Sequence, residues 1–346
     1  MKIVAVLLVA MLLFGCTFLD NKSNNDKVPV SDNKVNDTSE KINVKIQNQS
    51  GQSSGSNNPP AQNTNISGQT NTEPIQKTKL EYTYDAKTPF SIYFISVGGA
   101  DNQGDSILIK KGDLTVLIDG GPAINAGNTI NFLKSKGVGT INILISTTAD
   151  PDHYGALSQI IDNFDVQEFW YSGVIAEDLT YQKLIDKIDQ KGVTKRVIER
   201  GENYDLNGLN AFILNPEQGK FTDASNNAIA IKLTQNNFCA LLTSDILFGA
   251  QAEIVNKFDT KCSILQIPYH GLGKGTVQID FLLLRVMPKD AIISGGINDP
   301  TPGGVGSRYS VLEKLKAKAI KVYENYKGGT IKITSDGVSY VISYNN

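Results

Sequence analysis

The chain contains two histidines among its 346 residues, and each lies in a short polar loop that follows an apolar run. Asp150 and Asp152 precede His153, while Tyr269 precedes His270. Neutral imidazole and carboxylate together suit Zn, Mn or Fe, and a catalytic site keeps a coordination position open for water. Two aspartates and one histidine within four residues also concentrate negative charge that a cation would neutralise. The spacing therefore favours a divalent metal site.

A purely structural interpretation of the same residues stays open. The two aspartates could cap loops and turns, and His153 could cap a helix predicted to begin near Ala156. Asp245 and His270, however, each follow a later predicted strand in register with the first motif. Their position favours the metal interpretation over the structural one.

A metal site of this kind needs strands that end beside one another. Apolar runs at 141–145 and 263–267 predict the strands that deliver the two histidine loops. Further strands are predicted at 91–97, 106–110, 114–118, 168–171, 211–214, 228–233, 239–243, 291–294, 320–324, 330–334 and 338–344. Helices are predicted at 129–136, 156–163, 179–190, 249–258, 276–286 and 309–319. Two half-domains, each a sheet with helices, predict a four-layer α/β/β/α sandwich.

The helix predicted at 179–190 has an amphipathic pattern. Leu179, Leu184 and Ile188 fall close to one face, and charged residues fall on the opposite face. Such a pattern is typical of a helix that covers a sheet. It predicts an apolar face that includes all three side chains.

The first residues of the chain predict export. Lys2 precedes an apolar run at 3–14, which is too short to span a bilayer but has the length of a signal-peptide core. Residues 13–16, Leu-Phe-Gly-Cys, resemble the lipobox of prokaryotic lipoproteins, in which cleavage leaves the cysteine as a lipid-carrying N-terminus. We therefore expect residues 1–16 to be a signal peptide, and lipid on Cys16 to anchor the protein to the outer face of the cell membrane. An ordinary secretory signal with an incidental cysteine is the alternative.

Composition divides the rest of the chain. Residues 17–80 are dominated by Asn, Ser, Gln, Lys, Asp and Thr, which predicts a disordered linker because little apolar surface is available for burial. Residues 81–346 have the composition of one globular domain. The net charge of −2 argues against a polybasic nucleic-acid binder, although a local basic patch stays possible.

Two cysteines lie within the predicted domain. Cys239 lies six residues before Asp245, and Cys262 lies eight residues before His270, near the starts of two consecutive predicted strands. If those strands are neighbours, a disulfide could form and add about 3 kcal/mol to stability. Two buried free thiols are the alternative.

Short motifs follow one another along the domain in a recognisable order. They are Val-Gly at 97–98, Gln-Gly-Asp at 103–105, Ile-Asp-Gly-Gly at 118–121, Thr-Thr-Ala-Asp-Pro-Asp-His-Tyr-Gly-Ala at 147–156, Ser-Asn-Asn-Ala at 225–228, Thr-Ser-Asp at 243–245 and Pro-Tyr-His-Gly-Leu at 268–272. This order resembles that of metallo-β-lactamase-fold hydrolases, and it is most similar to the extracytoplasmic hydrolase-like domain of bacterial DNA-uptake competence proteins. The resemblance implies the same four-layer α/β/β/α fold.

The resemblance also implies a ligand set. In dinuclear members of the family two metals lie side by side, and the corresponding positions assign Asp152, His153, Asp245 and His270 to one of them. Asp150 is a candidate fifth ligand. These residues imply a single divalent metal, with Zn or Mn as the leading choices.

Three histidines of the family pattern are missing here. Thr148 and Tyr269 occupy two of their positions, and the third has no counterpart between Gly295 and Arg308. The resemblance therefore implies that the second metal site is lost.

One metal is enough to suggest a mechanism. A divalent cation lowers the pKa of a bound water towards about 7. Asp150 would orient that water or act as a base, and Tyr269 would donate a hydrogen bond to an oxyanion. We expect a metal-dependent hydrolase of phosphodiester or other ester bonds, acting on a small-molecule or polymeric phosphoester. The alternative is a catalytically inactive hydrolase fold that binds a ligand or a partner.

Overall fold

The computed structural model describes residues 88–98, 103–276, 278–296 and 307–345. The signal peptide predicted at 1–16, including Cys16, and the linker predicted at 17–80 lie outside the described residues, as does the predicted start of the domain. Within the described ranges, every helix is too short or too polar to cross a membrane.

The described residues form fifteen strands and nine helices. The strands are β1 (Phe90–Phe94), β2 (Ile107–Lys111), β3 (Leu114–Ile118), β4 (Thr140–Ser146), β5 (Asp165–Tyr171), β6 (Thr194–Val197), β7 (Asn203–Leu206), β8 (Leu209–Asn215), β9 (Ala230–Gln235), β10 (Phe238–Leu242), β11 (Ile264–Gln266), β12 (Asp290–Ile293), β13 (Lys321–Glu324), β14 (Ile331–Ser335) and β15 (Tyr340–Tyr344). The helices are α1 (Ala126–Ser135), α2 (Pro151–Tyr154), α3 (Leu157–Asn163), α4 (Leu179–Gln190), α5 (Phe248–Lys257), α6 (Gly273–Thr276), α7 (Ile279–Val286), α8 (Arg308–Ala317) and α9 (Asn325–Gly328).

The strands are arranged in two mixed sheets. The first has the order β15-β14-β1-β2-β3-β4-β5-β6, and the second has the order β13-β12-β11-β10-β9-β8-β7. Neighbouring strands run parallel from β3 to β6 in the first sheet and from β10 to β13 in the second. The other neighbouring pairs are antiparallel, including β14 and β15 at the end of the chain. Parallel neighbours need crossover connections, which α1, α3 and α4 provide in the first half and α5, α7 and α8 in the second.

Alternation along the strands creates three apolar layers. On β1, Phe90 and Phe94 face the other sheet, whereas Tyr93 faces the helices of the first half. On β11, Ile264 faces the space between the sheets and Leu265 packs with the helices of the second half. The predicted four-layer α/β/β/α sandwich is confirmed.

Most predicted elements are confirmed, including the strands that deliver the histidine loops, which the structure places at Thr140–Ser146 and Ile264–Gln266. The edge strands β6 and β7 were missed because their side chains are mostly polar and exposed, so no apolar alternation marks them. The helix predicted at 276–286 begins instead at Ile279, after the separate short helix α6 at Gly273–Thr276.

One residue of α4 contradicts its prediction. Leu179 is the first residue of the helix and is 69% exposed, so its assignment to the apolar face is wrong. Leu184 and Ile188 are buried as predicted, and Tyr181 completes the buried face. The period of the helix is therefore right, but the apolar face begins after its first residue.

Cys239 and Cys262 form a disulfide, with Cα atoms 4.9 Å apart. Cys239 lies in β10, and Cys262 lies just before β11, which pairs with β10 in parallel. The bond therefore ties together the starts of two strands whose opposite ends carry Asp245 and His270.

Candidate metal centre

The predicted site residues come together at one edge of the sandwich, where parallel strands end. His153 follows β4 in the first sheet, Asp245 follows β10 and His270 follows β11 in the second. Carboxyl ends of neighbouring parallel strands lie at the same sheet edge, so loops that are far apart in sequence meet there. The site is thus assembled from both halves of the domain.

Four side chains form a cluster at this edge. One ligand atom from each of Asp152, His153, Asp245 and His270 can be chosen so that all four lie within 4.8 Å of one another. His153 Nε2 lies 3.3 Å from Asp245 Oδ2, and His270 Nε2 lies 3.1 Å from Asp152 Oδ2. Asp245 also faces His270, with Oδ1 3.5 Å from Nε2. Its carboxylate therefore lies between the two imidazoles.

Hydrogen bonds on the far side of each ring define which nitrogen faces the cluster. His153 Nδ1 lies 2.8 Å from Asp119 Oδ2, and His270 Nδ1 lies 3.1 Å from the carbonyl oxygen of Ser294. A carbonyl oxygen accepts only, and so does an ionised carboxylate, so each Nδ1 carries the proton. When the ring is neutral, each Nε2 presents a lone pair to the cluster, which is the arrangement of a metal-ligating histidine.

The same two nitrogens lack hydrogen-bond partners. His153 Nε2, His270 Nε2 and Asp245 Oδ1 are all buried without a partner. Buried polar atoms are normally satisfied, so three such atoms facing one point indicate that something binds between them. Two imidazole nitrogens and two carboxylates fit a divalent cation such as Zn or Mn.

Charges in the cluster favour an added cation. Burial alone would lower the pKa of His153, but the carboxylates of Asp245 and Asp119 raise it well above its ordinary value. Burial also opposes the shift at His270, yet Asp245 and Asp152 raise its pKa to about 9. The pKa of Asp152 is lowered despite its burial, because the imidazoles of His270 and His153 lie close to its carboxylate. Positive charge is therefore stabilised here, whether a proton or a metal supplies it.

The backbone is strained around the cluster. Eight described residues other than glycine have positive φ, and four of them are Asp119, Ser244, Tyr269 and His270, with φ between 47° and 58°. This left-handed region is costly for ordinary side chains, and residues held in it concentrate at functional sites. The strain supports a functional role for this edge rather than a purely structural one.

Comparison with known proteins agrees with this geometry. Residues 99–224 match the Metallo-beta-lactamase superfamily. Over these residues the chain is similar to that superfamily. It is also 26% identical over 209 residues to ComE operon protein 3 of Bacillus subtilis (strain 168), which covers 59% of this chain but only 26% of that protein. The family resemblance drawn from the motifs is confirmed, and the chain spans about a quarter of the length of this relative.

Solved structures are similar at lower identity. The metallo-beta-lactamase fold protein YhfI from Bacillus subtilis is 12% identical, with a TM-score of 0.47 over 70% of this chain and 99% of that one. CmlA, a diiron beta-hydroxylase from Streptomyces venezuelae, is 11% identical, with a TM-score of 0.46 over 68% of this chain and 52% of that one.

Two carboxylates behind the cluster were missed as site residues by sequence reasoning. Asp119 directly follows β3 and accepts from His153, while Asp105 Oδ1 lies 3.9 Å from His270 Nδ1. Both were quoted within motifs, and both come beside strands that are neighbours of the site. That position was the available signal, but no spacing rule linked either aspartate to a particular histidine.

A cavity of about 350 Å³ opens beside the cluster. Its lining includes Asp152, Asp245 and His270 from the cluster, and also Asp150 and Tyr269. A second cleft of about 560 Å³ shares Asp152 with it and extends along α2 and the start of α4. The two together offer space for a substrate that places its reacting group at the cluster.

Asp150 and Tyr269 lie beside the four-residue cluster rather than in it. Asp150 Oδ2 accepts a hydrogen bond of 3.1 Å from Thr148 Oγ1, and burial raises the pKa of Asp150. Although Asp150 precedes α2, its side chain makes no capping hydrogen bond there. Burial raises the pKa of Tyr269, so its hydroxyl keeps its proton at neutral pH.

Proposed function

We propose that this chain is a metal-dependent hydrolase of phosphodiester or other ester bonds that uses one divalent cation, Zn or Mn. The observation that carries the proposal is the convergence of His153 Nε2 and His270 Nε2, both buried and unpartnered, on the carboxylates of Asp152 and Asp245. A divalent cation would satisfy two nitrogen lone pairs and two anionic oxygens at once.

Each residue has a part in the proposed reaction. Bound at the four ligands, the cation would supply Lewis-acid polarisation of a phosphoryl or acyl oxygen and would lower the pKa of a water molecule. Asp150, in the same cavity, orients the attacking water and accepts its proton. Tyr269 lies across that cavity and donates a hydrogen bond to the charge that develops on the substrate oxygen.

The remaining parts of the proposal come from the sequence. A signal peptide at 1–16 would export the protein, and lipid on Cys16 would hold it on the outer face of the cell membrane. The linker at 17–80 would then let the domain reach a small-molecule or polymeric phosphoester near that surface. Mass spectrometry of the mature N-terminus tests the anchor, because a diacylated Cys16 gives a defined mass increase and an ordinary signal peptide leaves none.

Metal content and turnover test the catalytic proposal together. The full chain, purified without chelator, should contain one equivalent of Zn or Mn and should hydrolyse bis(p-nitrophenyl) phosphate or a simple aryl ester. His270→Ala should lose the metal and reduce kcat/KM at least about 100-fold, because it removes a ligand as well as its charge balance. Asp280→Ala, an exposed change in the same half, serves as the control and should leave both measurements unaltered. A wild-type protein that binds neither metal would contradict the proposal.

One observation favours a second candidate, a catalytically inactive domain that binds a ligand. Thr148 ties down Asp150 through a hydrogen bond, and Tyr269 adds no metal ligand. The part of the site that would clamp a leaving oxygen is therefore absent from the four-residue cluster. Tight metal binding without turnover of any ester or phosphodiester would favour this candidate over the hydrolase.

A further inference from the structure

A small cavity lies between the two sheets, directly behind the metal cluster. It measures about 10 Å³, close to the room that one water molecule needs. All of its lining residues are buried, and they form an apolar floor and a polar roof. The floor consists of Ile107, Ile118, Ile229, Ile231 and Leu242, and the roof consists of Asp105, Asp119, Thr147, Ser244 and Gln266.

Asp105 has an unmet hydrogen-bonding need at this cavity. Its Oδ2 accepts from Gln266 Nε2 at 2.7 Å, but its Oδ1 is buried without a partner. His270 Nδ1 lies 3.9 Å from Oδ1, which is too far for a hydrogen bond. A buried carboxylate oxygen in this state is costly unless a donor reaches it.

The other polar groups of the roof show what kind of molecule would fit. Thr147 Oγ1 donates its single proton to Asp119 Oδ2 at 2.6 Å, so Ser244 Oγ must be the donor in its 2.6 Å contact with Thr147. Ser244 Oγ therefore keeps a free acceptor position. Gln266 uses one of its two amide protons on Asp105 and keeps the other.

We propose that one water molecule occupies this cavity and bridges Asp105 to Ser244. Water can donate to Asp105 Oδ1 and Ser244 Oγ and accept from the second amide proton of Gln266, which gives it three partners. Buried waters usually make about three hydrogen bonds to groups that would otherwise be unsatisfied. Apolar cavities stay dry, but this one has polar atoms on one side.

The bridge gives the two halves of the site a common support. Asp105 belongs to the first half and lies behind His270 of the second, while Ser244 belongs to the second half and continues through Thr147 to Asp119 behind His153. Asp105 also donates its backbone N–H to the carbonyl of Asp152. Asp105 is thus a positioning residue for the ligands of both halves. Its effect on metal binding depends on the function proposed above, whereas the water itself does not.

A crystal structure of the full chain at a resolution that shows ordered water tests the first part. We expect one water peak within hydrogen-bonding distance of Asp105 Oδ1 and Ser244 Oγ, with or without metal in the cluster. An empty cavity would overturn the proposal. An anomalous peak in crystals soaked with rubidium would overturn it as well, since the occupant would then be a monovalent cation.

Metal affinity tests the second part. Asp105→Asn keeps the shape but removes the charge that lies 3.9 Å behind His270 Nδ1. It should weaken zinc binding about 10-fold, the lower end of the range for changes behind metal ligands. The absorption spectrum of the cobalt-loaded variant should differ from that of the cobalt-loaded wild type. The unfolding temperature of the variant should stay unchanged. Ser244→Ala, which removes the other end of the bridge, provides a second variant if Asp105→Asn does not fold.

The control is Asn142→Ala, which removes a buried side chain that accepts from the Thr115 backbone at the opposite end of β3. If Asn142→Ala weakens zinc binding as much as Asp105→Asn, Asp105 contributes only general stability and the positioning role is wrong. A wild-type protein that binds no zinc but shows the water peak would contradict the proposed function and leave the water site standing.

Discussion

The two histidines of the candidate site lie at equivalent places in the two halves of the domain, yet they are held by different means. His153 in the first half has its Nδ1 on the carboxylate of Asp119 at 2.8 Å. His270 in the second half has its Nδ1 on the backbone carbonyl of Ser294 at 3.1 Å, and its own backbone is left-handed with φ of 54°. One ring is fixed by a charged side chain, and the other by the main chain.

The two histidine rings are therefore oriented by two different kinds of hydrogen-bond acceptor. A hydrogen bond to an ionised group is roughly twice as strong as a neutral one, so Asp119 both orients His153 and makes it a better donor to a cation. The support of His270 depends instead on the backbone geometry of the second half. That half also contains the disulfide, which ties the starts of β10 and β11. Substitutions in the two halves should therefore have different effects on zinc affinity and on stability.

Asp245→Ala should have the largest effect, because Asp245 is the one ligand that faces both imidazoles, at 3.3 and 3.5 Å. Its loss removes a ligand and leaves two buried rings facing each other. We expect zinc affinity, measured by competition with a chromophoric chelator, to fall by more than about 100-fold, beyond the range of an outer hydrogen-bonding partner. Asp259→Ala, whose side chain is 74% exposed, should leave the affinity unchanged. Retention of tight binding in Asp245→Ala would show that the halves bind separately.

Removing the disulfide should affect stability and leave the metal site intact. Cys239 and Cys262 are 23 residues apart in sequence, and closing a loop of this size contributes about 3 kcal/mol by restricting the unfolded chain. We expect the double change Cys239→Ser and Cys262→Ser to lower the free energy of unfolding in urea by about this amount. Zinc affinity should stay within about twofold, because the bond lies at the strand ends away from the cluster. A large loss of affinity would mean that the disulfide also supports His270.

Asp119→Asn should have a smaller effect that is confined to the first half. Asparagine tolerates the left-handed backbone at this position, where φ is 58°, and still accepts one hydrogen bond, but it lacks the charge. We expect zinc affinity to fall about 10- to 100-fold. The disulfide between Cys239 and Cys262 should stay intact, and the circular dichroism spectrum should match that of the wild type. An unchanged affinity would mean that the carboxylate contributes no more than the Ser294 carbonyl does in the second half.

The sequence predicted the strands and the four clustered residues better than it predicted the groups that support them. Asp152, His153, Asp245 and His270 each follow an apolar run, and strand ends are where loops of an α/β sheet meet. The pairing of Asp119 with His153 and the carbonyl of Ser294 with His270 depends on which strands are neighbours, which only the folded sheet order decides.

Polar edge strands and helix ends were also difficult to predict from the sequence. The residues of β6 and β7 have little apolar alternation, so their strand pairing depends on neighbours and not on their own pattern. Leu179 has the right spacing for the buried face of α4 but is exposed as the first residue of the helix. Periodicity predicts which side of a helix is buried, but it does not predict at which residue the buried side begins or ends.

The substitution with the smallest expected effect tests whether Leu179 belongs to the buried face of α4, in the half that has no disulfide. All three cysteines of the chain lie at positions 16, 239 and 262, so the outer layer of the first half depends on helix packing alone. Leu179→Ala removes a side chain that is 69% exposed and should change the free energy of unfolding by no more than about 0.5 kcal/mol. Leu184→Ala is the matched control on the same helix, and because Leu184 is 2% exposed it should cost about 2 to 5 kcal/mol. If the two changes cost the same, Leu179 is covered in solution, and the apolar face drawn from the sequence is right after all.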